Sequence, residues 1–95
     1  MILARTMNNA EIAAVFWDIA VLLEKKKENW FKIRAYRKAA DSIDELTVPL
    51  GQLVDEGRLK EVPGVGEAIT KKITELVNTG KLEFYEKLKA ELGEG

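Results

Sequence analysis

The tetrapeptide Pro63-Gly64-Val65-Gly66, followed directly by a helix-forming stretch from Glu67 to Asn78, constrains this chain more than any other feature. Two glycines one residue apart ahead of a helix permit a tight turn and let a partner's backbone approach closely. The first amides of the helix that follows are unpaired and carry partial positive charge. Such a turn and such a helix start can together hold an anion, for example a backbone phosphate. Lys72 lies six residues past Gly66 on the same helix. A phosphate cradle with a lysine one turn inside it points to nucleic-acid binding and to chemistry on the bound strand. The plainer reading is that Gly64 and Gly66 serve only the turn; the helix start immediately after them favours the phosphate.

Around this hairpin the apolar residues recur at helical spacing throughout, so the chain reads as all-α. Asn8 and Asn9 are N-cap candidates for a first helix carrying Ile12, Val15, Phe16, Ile19, Leu22 and Leu23 and running to about Lys26. Glu28-Asn29 marks a turn, and a second helix carries Ile33, Tyr36, Ala40 and Ile43. Thr47-Val48-Pro49 ends it, because the residue before proline avoids the helical region. Pro49 opens a short third helix with Leu50, Leu53 and Val54, capped by Gly57. After the hairpin, Arg58 to Gly66, a fourth helix carries Ile69, Ile73, Leu76 and Val77 and stops at Gly80; a fifth carries Leu82, Tyr85, Leu88 and Leu92. The expectation is a compact bundle of four helices plus a C-terminal helix, without a sheet. Ile12, Phe16, Ile19, Leu23, Ile33, Tyr36, Ile43, Leu53, Ile69, Ile73 and Leu76 should form its core. Residues 1–8 and 93–95 read as flexible ends of a single domain spanning 9–92.

Ninety-five residues leave no room for a second core. The chain has no cysteine and no histidine, which excludes disulfides, zinc sites of the usual kind and histidine-based catalysis. Chemistry would have to use lysine, carboxylate, tyrosine or hydroxyl groups. No apolar run approaches the ~20 residues of a membrane span, and a cytoplasmic protein, a monomer without a membrane partner, is expected. The net charge is −1, yet Lys25, Lys26, Lys27, Lys32, Arg34, Arg37 and Lys38 stand against Glu28 alone in residues 25–38, a local net of +6 on a body of −7. One basic segment on an acidic body is the electrostatic footprint of a polyanion binder, although lysines are also common at a solvated helix end.

On the fourth helix the apolar set points one way, and at roughly 100° per residue Lys71 points about opposite while Lys72 sits at the edge of the core. A partly desolvated lysine near other cations binds its proton less tightly, and its neutral amine can attack a carbonyl carbon. The bland alternative is a boundary lysine that lays its stem on the core and keeps its ammonium wet. Tyr36 fits both the apolar stripe of the second helix and a rim position. Trp17 and Trp30 could stack on bases, but such residues more often pack, and Trp30 is expected to cover the end of the core.

The hairpin block Val62-Pro63-Gly64-Val65-Gly66-Glu67-Ala68-Ile69 resembles the helix-hairpin-helix motif, which binds DNA backbones without reading sequence. Together with Ala35-Tyr36-Arg37-Lys38-Ala39-Ala40 upstream, and Lys71-Lys72-Ile73 and Thr79-Gly80-Lys81-Leu82 downstream, the chain resembles the N-terminal, lyase-type domain of family X (beta-like) DNA polymerases, in wording closest to the bacterial and archaeal branch. The likeness runs from about Asn9 to Leu92.

The resemblance implies a helical unit that grips the 5′-phosphate at a DNA gap and, in several members, acts as a 5′-deoxyribose-phosphate lyase. It implies Lys72 as the Schiff-base nucleophile. It implies Lys32, Tyr36, Lys38, Lys60, Gly64, Val65, Gly66, Glu67 and Ala68 as DNA and phosphate contacts; the charge segment and the glycine hairpin lead one to expect the amides of Gly64 to Ala68 and the side chains of Lys32, Tyr36, Lys60 and Lys72 on one basic face. Backbone carbonyls of Lys60, Val62 and Val65 would hold a sodium or potassium ion; no other cofactor is implied. Where mammalian members carry lysines or a histidine, this chain has Ala68, Phe84 and Phe31, which thins the phosphate grip. The chain has no room for a nucleotidyltransferase domain, so polymerase activity would belong to a longer native chain. A non-catalytic helical interaction module that keeps the hairpin scaffold is the competing class.

Overall fold

Asn8 opens the first helix through a capping box. Its side chain accepts the Glu11 N–H and the Glu11 carboxylate accepts the Asn8 N–H, each at 2.8 Å. Two otherwise orphaned donors are thereby satisfied, and α1 (Asn9–Lys25) follows. The computed structural model describes residues 7–93. Beyond α1 it contains α2 (Trp30–Asp44), α3 (Leu50–Glu56), α4 (Glu67–Thr79) and α5 (Glu83–Glu91), with one 3₁₀ turn at Leu59–Glu61 between α3 and α4. Among the described residues there is no strand, so the all-α expectation holds.

The ends of the helices follow from local chemistry. At the end of α1 the Lys27 N–H bonds Glu24 O at 3.0 Å and the Glu28 N–H bonds Leu23 O at 2.9 Å. This paired reversal usually employs glycine at its left-handed position, but here Lys27 adopts φ +60°. Asn29 then caps α2 by accepting the Phe31 N–H at 2.7 Å. Pro49 has no side-chain acceptor for α3, and Asn9 supplies one from α1: its Oδ1 accepts the Leu50 N–H and its Nδ2 donates to Val48 O, both at 2.9 Å. Gly57 (φ 65°) and Gly80 (φ 77°) end α3 and α4 in the left-handed conformation, as their positions suggested.

The core lies mainly between α1 and α2, which form the principal packed pair, with α3, the 3₁₀ turn and α4 closing one side and α5 returning onto α1. All eleven expected core residues are buried. Each fully buried Leu, Ile or Phe contributes on the order of 1.5–3 kcal/mol relative to exposure. Phe16 is inaccessible and stacks on Tyr36 with ring centroids 5.9 Å apart. Val62 and Val65 are buried as well, so the apolar residues flanking Gly64 pin the hairpin to the core. Trp30 departs from expectation. It is half exposed and lies beneath the Arg37 guanidinium at 5.0 Å instead of covering the core. Its place at the first position of α2 turns the ring outward, and Arg37 is in turn held by Glu24 at 3.0 Å.

The expected flexible ends fall largely on residues 1–6 and 94–95, which lie outside the described residues. Met7 packs on the core and Asn8 caps α1, so the folded unit includes both. No helix among the described residues is long and apolar enough to cross a membrane.

Candidate nucleic-acid interface

The hairpin is a formed turn. The Val65 N–H closes onto Val62 O at 3.1 Å, and Gly64 adopts φ +83°, a left-handed backbone that a side chain strains. Lys38 of α2 lies across it. A methyl group built on Gly64 would meet the Lys38 Cγ at 2.7 Å, so the lysine stem occupies the space that glycine leaves open. Gly66 is different: its φ is −94°, and nothing lies within 4 Å of where a Cβ would stand. Gly66 serves as the N-cap of α4 and has no side chain to satisfy the amides of the first turn. Those amides therefore carry the partial positive charge of the helix start at an open surface, with Glu67 as the one acid of that turn.

Beside the hairpin a cavity of about 370 Å³ opens between α1, α2, α4 and α5. Lys32 and Tyr36 of α2 and Ala68 and Lys72 of α4 line it, as do Lys26, Glu28 and Phe84. Tyr36 is buried, stacked between Phe16 and Phe84, the latter at 6.0 Å and nearly parallel. Its burial pushes the phenol up to about 12, so the hydroxyl keeps its proton at neutral pH. Both accounts of Tyr36 therefore hold: the ring is core and its edge is cavity wall.

Lys72 stands at the boundary, as its angular position on α4 required. Its Nζ lies 4.8 Å from the centre of the Phe84 ring. Burial lowers its affinity for a proton below that of an ordinary lysine, and the nearby Glu75 carboxylate opposes this in part. Lys71 is exposed. Lys72 and Phe84 also border a second hollow of about 340 Å³ with Lys71, Glu75 and Lys87, so this pair forms a wall shared by two depressions. Glu75 is not free there: its Oε2 accepts the Glu83 N–H at 2.8 Å and starts α5.

Four residues expected in the site, Lys32, Tyr36, Ala68 and Lys72, thus meet in one cavity, and Lys38 meets Gly64 at the hairpin. Lys60 does not join them. It borders a separate hollow with Thr70 and Thr74, which lie roughly 180° around α4 from Ala68 and Lys72 at about 100° per residue. The 3₁₀ turn at Leu59–Glu61 carries Lys60 to that opposite flank, which corrects the expectation of one shared basic face. The basic segment is also partly neutralised: Lys26 pairs with Glu91 at 3.1 Å, Lys32 with Glu28 at 3.9 Å and Arg37 with Glu24. Sequence reasoning missed Lys26, Glu28 and Phe84 as cavity residues; Lys26 had a signal as a member of the basic segment, and Phe84 as an apolar residue where the family resemblance led one to expect lysine. Among the described residues no cluster of acidic side chains could hold a metal ion.

Over 89 residues the chain is 32% identical to the DNA polymerase/3′-5′ exonuclease PolX of Bacillus subtilis (strain 168), a relative whose name matches the family X resemblance. That alignment covers 94% of this chain and 15% of the Bacillus protein, so the chain spans a small fraction of the length of this relative. The model of the helix-hairpin-helix domain matches residues 7–82, from the cap of α1 through the turn before α5. With that match covering most of its length, this chain belongs to the helix-hairpin-helix domain family.

Proposed function

We propose that this chain binds DNA without sequence preference, gripping the 5′-phosphate side of a gap as the N-terminal domain of a family X repair polymerase, and that Lys72 gives it 5′-deoxyribose-phosphate lyase activity. The observation that carries the reading is the cavity shared by Lys32, Tyr36 and Lys72 at the foot of an α4 start that no side chain caps. Phosphate would dock on the amides of Gly64 to Ala68, with Lys38 laid over Gly64 and Lys32 at the cavity supplying positive charge. The half-buried Lys72 amine would attack C1′ of an open-chain deoxyribose phosphate, forming a Schiff base. The carbonyls of Lys60, Val62 and Val65 would hold a sodium or potassium ion. The turn is compatible with it, since Val62 O accepts one amide and a carbonyl oxygen has a second lone pair.

Two measurements test this. Affinity for gapped, 5′-phosphorylated DNA should fall steeply with salt and hardly vary with sequence. Borohydride should trap a covalent adduct on DNA bearing a 5′-deoxyribose phosphate, and Lys72→Ala should abolish it while Lys71→Ala retains most of it. The apolar outer face of α1, with Trp17 and Val21 each 41% exposed, favours a second reading, a non-catalytic interaction module. Salt-insensitive or absent binding to gapped DNA would select that one.

A further inference from the structure

Schiff-base formation alone does not break a DNA strand. After the imine forms, a base must remove a proton from C2′ before the C3′–O bond can break. Among the described residues the cavity wall contains three lysines, one tyrosine and a single carboxylate, Glu28. Tyr36 cannot serve as the base near neutral pH, because burial holds its phenol up at about 12. Lys26 is a cation bonded to Glu91 at 3.1 Å. Glu75, the acid nearest to Lys72 in sequence, borders the neighbouring hollow and not this cavity.

Glu28 is held in place. Its backbone is fixed by the reversal that ends α1, where the Glu28 N–H bonds Leu23 O at 2.9 Å and Lys27 is held at φ +60°. A lysine in that left-handed conformation is strained by about 1–2 kcal/mol relative to an ordinary backbone. The Glu28 side chain is 31% exposed, and its Oε1 accepts the Asn29 N–H at 3.1 Å with the Lys32 ammonium 3.9 Å away. These contacts orient the carboxylate through one oxygen and leave Oε2 to act.

We propose that Glu28 is the catalytic base that abstracts the C2′ proton during β-elimination at Lys72, an inference that rests on the lyase reading above. The neutral Lys72 amine adds to the C1′ aldehyde, and loss of water gives the imine. Glu28 takes the C2′ proton and becomes a carboxylic acid. The C2′–H electron pair forms the C2′–C3′ double bond, and the C3′–O bond breaks, its electrons leaving on the 5′-phosphate of the DNA strand. Water then hydrolyses the unsaturated imine, restoring the Lys72 amine and releasing the sugar phosphate; Glu28 returns its proton to solvent. No oxidant or metal enters the balance.

The test compares native chain, Glu28→Gln and Glu28→Asp in single turnovers on gapped DNA carrying a 5′-deoxyribose phosphate, with and without borohydride. Glu28→Gln should give trapped adduct within about twofold of native, because imine formation does not need this base. Its strand release should slow by about 10²-fold, the scale of a lost general base. Glu28→Asp, which keeps a carboxylate one methylene shorter, should release at an intermediate rate. Release by Glu28→Gln at the native rate would overturn the assignment while leaving Lys72 and the lyase reading intact. Equal loss of trapping and release would also overturn it, since Glu28 would then act on the fold or on imine formation. Absence of any trapped adduct with the native chain would remove the lyase reading, and this inference with it.

Discussion

The two hairpin glycines should respond differently to the same substitution. Gly64→Ala places a side chain on a backbone at φ +83°, which costs an L-residue about 1–2 kcal/mol. Alanine recovers about 0.4–1 kcal/mol by losing less unfolded-state entropy. The new methyl would also stand 2.7 Å from Lys38 Cγ and 3.0 Å from its Cδ, so the lysine stem must leave the hairpin. The net destabilisation should be about 1.5 kcal/mol, or on the order of 10 °C in Tm for a domain of this size. Gly66→Ala meets none of this strain: φ is −94° and the space is open, and the roughly 0.4–1 kcal/mol that alanine gains through the unfolded state is offset by its poorer fit at an N-cap, so stability should change by less than about 0.5 kcal/mol. Its methyl would instead occupy surface where a phosphate is proposed to dock. Urea titration and gapped-DNA binding should therefore separate the pair: Gly64→Ala loses stability and affinity, Gly66→Ala loses affinity alone. In a Lys38→Ala background the cost of Gly64→Ala should shrink to the backbone part, a coupling of about 0.5 kcal/mol or more between touching groups. A Gly64→Ala protein as stable as native, or a Gly66→Ala protein destabilised to the same degree, would refute the reasoning.

Other outcomes follow from the same contacts. Phe16→Ala removes a ring with no exposed surface and its stack on Tyr36, and should cost about 3–5 kcal/mol by chemical denaturation. Asn9→Ala removes both the acceptor for the Leu50 N–H and the donor to Val48 O, and should cost about 1–2 kcal/mol, more than an ordinary cap because the tie joins two helices. Tyr36 titrates near 10 when unfolded and about 12 when folded, so between these values the unfolded state binds fewer protons. Its contribution is intact below pH 10 and is lost as pH rises toward 12, by up to about 1.4 kcal/mol per pH unit. Tyr36→Phe should flatten that alkaline slope, leaving the part due to Tyr85, which is shifted the same way. Lys38→Ala should weaken gapped-DNA binding equally for all sequences and reduce the salt slope by about one unit; an unchanged slope would remove Lys38 from the phosphate contacts.

Read alone, the sequence determined which segments are helices, where they stop and which face of each is buried. Those properties depend on signals a few residues apart: the Asn8 cap, Gly57 and Gly80 at left-handed positions, Pro49, and apolar residues three and four apart. Lys72 at the core edge and Lys71 in solvent were likewise legible, because both lie on one helix whose buried direction its own apolar residues define. What only the tertiary structure decided is which side chains from different helices meet. Lys26 and Glu28 come from the end of α1, Lys32 from α2, Lys72 from α4 and Phe84 from α5, and no local pattern says that they border one cavity. The same holds for Lys60, sent to the far flank of α4 by a single 3₁₀ turn, and for Lys38, whose stem fills the space above Gly64. Trp30 shows the limit most plainly. Its apolar bulk argued for burial, yet its place at the start of α2 left it half exposed under Arg37. Periodicity fixes direction around one helix axis, whereas distance between helices is fixed by how their ridges pack, which is a property of the whole core.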